Sequence, residues 1–432
     1  MLATIGAPSI DALFREIPSH LVKAPGSLDL PPALDEPGLL KHLHELSRKN
    51  QNMADLTCFL GAGIYDRFIP STVSAVISRG EFLTAYTPYQ PEASQGYLQT
   101  IYEFQSMVAE LFGMDIANAS MYDGATALAE AAIMAAGATN RMKVAVSDAV
   151  HPHYRQVLAT YCWSMGIEVV TLNHQTGATT DFSPLDESCA CVLIQSPNFF
   201  GVIENLQEAR AQADRTKAML VVSADPVSCA LLKPAGAFGA DIVVGEGQPM
   251  GVPMGLGGPL VGLFTCRQEH IRRIPGRIVG RTTEAHGDRE GYVMTLRTRE
   301  QDIRREKATS NICTNEALMA LACTVYMTTL GKNGMRSVAE SSARNTQYAI
   351  GKLQEAGATL KFNRQVFGEF VVELPKPAHE VRDALLDKKI LAGLPLGDYY
   401  PGMERCLLVA VTETRKKAHI DAYASALKEV LA

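Results

Sequence analysis

The sequence predicts an α/β fold, a large domain on a mainly parallel sheet followed by a smaller α+β domain. Three observations carry that prediction. Between Lys143 and Lys217, short β-branched runs alternate with helical segments of roughly ten to fifteen residues, the spacing of parallel strands with crossover helices. A stretch dense in glycine and proline, 240–262, lies between two further strand-like runs and reads as a rigid loop of the kind that walls a site. Beyond Gly331, helices and strands follow in α+β order.

In chain order, Ser9 to Ile17 reads as a short amphipathic helix capped by Ser9, and Gly38 to Leu46 as a second helix after a proline-rich connector, Pro25 to Pro37. With the glycine turn Phe59 to Asp66 they form an N-terminal arm, 1–65, expected to lie over a neighbouring surface. The large domain, 66–312, opens with a loop rich in Pro, Tyr and Gln, Thr84 to Gly96, then a helix from Gln95 to Leu111 closed by Gly113. That loop is either a site lining or an ordinary surface loop with half-buried tyrosines; both readings stand. A further helix opens at Asp123-Gly-Ala-Thr. Strands follow at Lys143–Ser147, Ile167–Leu172, Ala190–Gln195, Ala218–Ala224, Ile242–Val244 and Leu260–Thr265, with helices Pro152–Met165 and Glu204–Lys217 between them. The remainder, 313–432, begins with an apolar helix, Thr314 to a Gly331 cap. It continues as helix Ser337–Glu355, strands Thr359–Phe362 and Glu369–Leu374, helix His379–Lys388, strand Leu407–Val411 and helix Lys416–Leu431.

Composition narrows the function. A chain of 432 residues supports two or three domains, and a net charge of −6 gives no basic face for nucleic acid. Nine scattered cysteines without a C-x-x-C pair suit reduced thiols in a cytoplasmic setting. The N-terminus shows no cationic start ahead of an apolar core, and the uncharged run Pro249–Cys266 holds too many glycines and prolines for a spanning helix, so no membrane role is expected.

The chemistry-bearing residues sit at strand ends. Asp225 closes an apolar strand at the carboxyl edge, where α/β sheets hold ligands. A strand-end Asp, a further strand and a glycine-rich turn is the layout of a pyridoxal phosphate site of the aspartate-aminotransferase type, fold type I. There the Asp keeps the pyridine nitrogen protonated and a Lys after the later strand forms the Schiff base. Here the lysine position holds Gln248, whose amide nitrogen is no nucleophile. Lys233 follows Asp225 too closely to have crossed the sheet and returned. The helix start at Gly124-Ala-Thr is where such folds receive the phosphate, although a plain Ala-rich buried helix reads equally well. His151 and His153 are half of a metal set at most; with no matching acid or Cys cluster, no metal is expected, and a loop or ring-stacking role is the better reading. Between Arg267 and Arg305, ten arginines stand against six acids, either as solvated loop charge or as a landing area for an acidic partner.

Phe59-Leu-Gly-Ala-Gly-Ile-Tyr-Asp66, Thr84 to Gly96, Ala117-Asn-Ala-Ser-Met-Tyr-Asp-Gly-Ala-Thr126, Val243-Val-Gly-Glu-Gly-Gln248 and Glu306 to Asn315 together resemble the glycine cleavage system P-protein family, in its alpha-type half. The resemblance implies an alpha subunit of an α2β2 glycine decarboxylase that lacks its own Schiff-base lysine. The beta-type subunit would carry pyridoxal phosphate and bind glycine, and the lipoylated H protein would receive the aminomethyl group. In that assembly Tyr86, Tyr89, Gln90, Glu92 and Gln95 are the candidates for side chains offered across the subunit interface, and the arginine-rich segment is a candidate face for H protein. Two other readings remain: a purely structural subunit, and a self-sufficient pyridoxal phosphate enzyme with an unrecognised lysine.

Overall fold

The computed structural model describes residues 1–22, 28–255 and 257–432. Residues 25–27 of the proline-rich connector and Leu256 of the glycine–proline loop lie outside them. The chain divides into two units, Met1–Asn52 and Met53–Ala432.

In the first unit, the helix expected from Ser9 to Ile17 is one 3₁₀ turn, Asp11–Phe14, with the Ser9 hydroxyl accepting the Ala12 N–H at 3.2 Å. Ile10, Leu13, Phe14 and Ile17 are exposed, so no packing adds to the weak intrinsic helix tendency of so short a segment. Helix α1, Glu36–Ser47, starts ahead of the expected Gly38. Asp35 caps it by accepting the Gly38 N–H at 2.9 Å, and Pro37 sits in its first turn.

In the second unit, a seven-stranded sheet is built from β1 (Ile116–Ala117), β2 (Lys143–Ser147), β3 (Glu168–Leu172), β4 (Cys191–Ser196), β5 (Met219–Ala224), β6 (Ile242–Glu246) and β7 (Gly262–Cys266), in the order β1-β7-β6-β5-β4-β2-β3. Strands β2 to β6 pair in parallel; β7 runs antiparallel to both β6 and β1. The longer helices, in order, are α2 (Gln95–Phe112), α3 (Gly124–Thr139), α4 (Pro152–Met165), α5 (Leu206–Thr216), α6 (Ala317–Glu355), α7 (Ala378–Asp387) and α8 (Lys417–Leu431). The strands read as continuous apolar runs because helices cover both faces. Val144, Val146, Leu193, Val221 and Val244 join the core under α3 and α4. Their neighbours Ala145, Val192, Ile194, Val222 and Val243 join the other core, with α2, α5 and the first half of α6.

Three expectations are corrected. Helix α5 starts at Leu206, not Glu204: Asn205 caps it by accepting the Glu208 N–H at 3.1 Å. Glu204 is buried ahead of it, its carboxylate accepting from the Thr179 N–H and hydroxyl and from the Asn198 amide. Gly331 closes the first half of α6 as expected, with non-helical backbone (φ 58°, ψ −175°), but the second half follows directly across that kink rather than starting at Ser337, and runs to Glu355. The arginine-rich segment is not merely a solvated loop, since it folds as a hairpin of β8 (Ile278–Thr283) and β9 (Glu290–Thr295), with Arg281 and Glu290 paired across it at 3.1 Å. Arg277 is buried at its start, whereas Arg272 and Arg273 remain exposed.

The smaller sheet holds β10 (Thr359–Leu360), β11 (Glu369–Glu373), β12 (Leu394–Pro395) and β13 (Cys406–Ala410) in the antiparallel order β10-β11-β13-β12. Its core takes Ala349, Ile350 and Leu353 of α6 and Ile420, Tyr423 and Leu427 of α8. The loop after β4 meets this sheet at Gly201. Its φ is 77°, and a Cβ there would lie 1.9 Å from the Glu369 carbonyl oxygen. No L-side chain fits that approach without moving backbone. Gly201→Ala is therefore expected to lower the unfolding free energy by about 2–4 kcal/mol, read as a lower urea midpoint with unchanged slope.

Candidate active-site pocket

The carboxyl ends of β4, β5 and β6 open onto a cavity of about 50 Å³ lined by Arg67, His151, Asn198, Asp225, Glu246 and Glu369, among others. This is the edge at which the sequence places its site. Asp225, immediately after β5, accepts the Ser228 N–H at 3.0 Å and the Val227 N–H at 3.3 Å. Burial raises its carboxyl pKa, and the Arg67 guanidinium opposes that rise. Arg67 is itself buried and paired with Glu413 at 2.7 Å, while its Nε meets no partner among the described residues.

Gln248 is 2% exposed, and its amide is fully used. Oε1 accepts the Tyr65 N–H at 2.9 Å; Nε2 donates to the Tyr65 carbonyl at 3.1 Å and to the Val252 carbonyl at 2.9 Å. The expected lysine position thus holds a two-ended clip on the Phe59–Asp66 turn. That turn is gripped at two more points. Glu369 accepts the Ala62 N–H at 2.7 Å and the Tyr65 hydroxyl at 2.9 Å, and the His151 Nε2 lies 2.9 Å from the Ala62 carbonyl oxygen. His151 stacks on Tyr154, ring centroids 4.9 Å apart, and its Nδ1 accepts the His153 N–H. Burial lowers its pKa to about 4, so the ring is neutral. Lys233 lies over the Phe238 ring at 4.5 Å, and among the described residues no lysine lines the cavity.

The start of α3, where a phosphate was expected, is already furnished. Asp123 caps it by accepting the Thr126 N–H at 2.7 Å. Glu246, the last residue of β6, accepts the Gly124 N–H at 2.9 Å on one oxygen and the Gln248 and Val261 N–H groups on the other. Neither Glu246 nor Glu369 was singled out by the sequence. The available signal was an acid at the inward end of an otherwise apolar strand, which is rarely left without donors.

The loop residues occupy a different edge. Tyr86 and Tyr89 are 77% and 60% exposed, and Gln90 and Glu92 are exposed beside them. Arg277 lies 5.8 Å from the Tyr89 ring centroid and reaches the Thr87 hydroxyl at 3.3 Å. The Gln95 amide bridges the Tyr292 backbone, accepting its N–H at 2.8 Å and donating to its carbonyl at 2.9 Å, which fastens α2 to β9.

The fold class is that of pyridoxal phosphate-dependent enzymes of fold type I. Solved structures of a glutamate decarboxylase from Lactobacillus brevis (TM-score 0.68, 13% identity, covering 95% of each chain) and of a NifS-like protein (TM-score 0.63, 11% identity, 87% of this chain and 99% of that one) share it. Within that class the family model of the glycine cleavage system P-protein matches residues 1–427, and the chain belongs to that family. It is 50% identical over 428 residues to the probable glycine dehydrogenase (decarboxylating) subunit 1 of Halalkalibacterium halodurans, covering 98% of this chain and 95% of the relative. It is 51% identical over 425 residues to the protein of the same description from Anoxybacillus flavithermus, covering 98% and 94%. A crystal structure of glycine decarboxylase (P-protein) of the glycine cleavage system, in inhibitor-bound form, superposes with TM-score 0.93 at 42% identity, covering 100% of this chain and 97% of that one.

Burial pushes the carboxyls of Glu246 and Glu369 up to about 7 each, against the pull of their N–H and hydroxyl donors. The folded chain therefore keeps protons that the unfolded chain has lost above its ordinary value of 4.5, and stability falls as pH rises through 7. The lowered His151 acts in the opposite direction, but only below its ordinary 6.5. Between about pH 6.5 and 8 the melting temperature is expected to fall for the wild type and to fall less steeply for Glu369→Gln, measured by calorimetry. Parallel curves would contradict the assignment.

Proposed function

We propose that this chain is the alpha-type subunit of a glycine dehydrogenase (decarboxylating) in an α2β2 assembly whose beta-type subunit carries the pyridoxal phosphate. The observation that carries the reading is Gln248: at the Schiff-base position stands an amide with both ends committed to backbone. The residues of this pocket do not fit the cofactor. No amine faces it, and the helix start that would take the phosphate has given its Gly124 N–H to Glu246. Decarboxylation of glycine, with transfer of the aminomethyl group to the lipoyl arm of H protein, then belongs to the partner's cofactor, which supplies the electron sink. All nine cysteines are free, which suits a reducing compartment such as the cytoplasm.

The contribution of this chain lies at the loop holding Tyr86, Tyr89, Gln90 and Glu92. Rigid prolines, Arg277 below Tyr89 and the Gln95 bridge fix a row of hydroxyl, amide and carboxylate groups that the chain itself leaves exposed. Across a subunit interface such groups can orient substrate and exclude water at the partner's site. In the reconstituted complex, Tyr89→Phe combined with Glu92→Ala is expected to lower kcat about tenfold or more while gel filtration shows the assembly intact. Unchanged turnover would assign the chain a structural role only.

Arg272 and Arg273 are exposed on the segment leading into β8 and suit a negatively charged carrier protein. Charge reversal at both is expected to raise the apparent KM for H protein several-fold at low salt, an effect that shrinks as salt is added. No change at low salt would refute that docking face.

A further inference from the structure

The pocket that lacks an amine is also closed in two other places, each held by contacts besides the hold of the Gln248 side chain on Tyr65. The first closure is the turn Gly61 to Arg67. Its Ala62 N–H and Tyr65 hydroxyl are held by Glu369, and its Ala62 carbonyl faces His151. Gly63 lies beside the His151 ring, where a Cβ would be in van der Waals contact, 3.4 Å from two ring atoms. With Tyr154 stacked on His151, the ring whose faces a planar ligand would use is covered by the chain itself. The second closure is Glu246. One oxygen takes the first N–H of α3, and the other takes the Gln248 and Val261 N–H groups. Asp123 takes the Thr126 N–H of the same turn, and a Cβ at Gly124 would lie 2.5 Å from the Tyr154 hydroxyl. A helix start attracts an anion through its free N–H groups; here the Glu246 carboxyl already takes the first of them and stands in the space an anion would need.

We propose that this pocket is sealed from within, with the Glu246 carboxylate standing permanently where fold type I enzymes seat a phosphate monoester and the Gly61–Arg67 turn standing where they seat the ring. The proposal rests on the reading that the cofactor belongs to the partner, and it adds that the lost lysine is not what keeps the pocket closed. Two consequences follow. Supplying an amine by Gln248→Lys leaves the pocket unable to take pyridoxal phosphate. Removing the carboxylate by Glu246→Ser frees three backbone N–H groups at one point and creates an anion site that the wild type lacks.

Both are tested on the full-length chain. Wild type and Gln248→Lys are incubated with pyridoxal phosphate, reduced with borohydride and digested, and label is mapped by mass spectrometry. Label at position 248 is expected in only a small fraction of Gln248→Lys molecules, no more than at exposed lysines. Stoichiometric label there would overturn the proposal. Stoichiometric label on any single lysine of the wild type would instead overturn the assignment of the cofactor to the partner, so the two failures are distinguishable. Glu246→Ser and wild type are then melted with inorganic phosphate or with chloride at matched ionic strength. Phosphate at about twenty times its dissociation constant should raise the melting temperature of the variant by about 2 °C or more and leave the wild type unmoved. A folded variant with no phosphate-specific shift overturns the proposal. If Glu246→Ser does not fold, the labelling of Gln248→Lys alone decides.

Discussion

The carboxylate of Glu246 fixes three backbone groups from three separate parts of the chain: the start of α3, the loop after β6 and the approach to β7. Each is a donor buried away from water, and losing their common acceptor would leave all three unpaired, a cost of a kind folded proteins rarely carry. The rest of the pocket follows from that point. With its own N–H held, Gln248 is aimed at Tyr65, and it grips that residue by both backbone groups. Tyr65 passes the connection to Glu369 at the start of β11. A continuous line of hydrogen bonds therefore runs from the large sheet into the small one through side chains that an active cofactor site would reserve for its ligand.

The periodic part of this architecture was legible in the sequence. Strands such as Lys143–Ser147 and the helix Pro152–Met165 show themselves because burial on both sheet faces forces an unbroken apolar run, and because Pro at a helix start and Gly166 after its end mark the boundaries. Asp225 and Gln248 were legible for the same reason, since each sits at a fixed offset from such a run. What escaped was set by tertiary partners. Glu204 has helix-forming character, yet three donors from Thr179 and Asn198 draw it out of α5. The strands of the hairpin β8–β9 are short and interrupted by Gly280 and Gly291, and the hairpin is held by register pairing and by Gln95 from another element. Glu246 and Glu369 were invisible as site residues because the donors that tie them to other elements, Gly124 for the first and Ala62 and Tyr65 for the second, lie more than a hundred residues away.

The two faces of the molecule that bear on function have opposite characters. In the pocket at the strand ends Glu246, Gln248 and Glu369 are committed to groups of the chain itself, while the Arg67 Nε meets no partner among the described residues. The loop from Tyr86 to Glu92 leaves its polar groups open while its framework is fixed by Arg277 and Gln95. Rigid backbone with unspent side chains is what a contributed half-site requires, because the entropy of ordering is already lost before the partner arrives.

Helix α6 crosses from one core to the other, with Met319 and Tyr326 in the first and Ile350 and Leu353 in the second. Its one irregular residue, Gly331, is exposed and unpacked, with nothing within 4 Å of where a side chain would begin. That is the natural elbow of the molecule, the place where one lobe could swing against the other. The hydrogen bonds spanning the opposite side from Gln248 through Tyr65 to Glu369 bolt the lobes together, so the joint is present but locked. A chain built this way holds its two lobes as one stationary body.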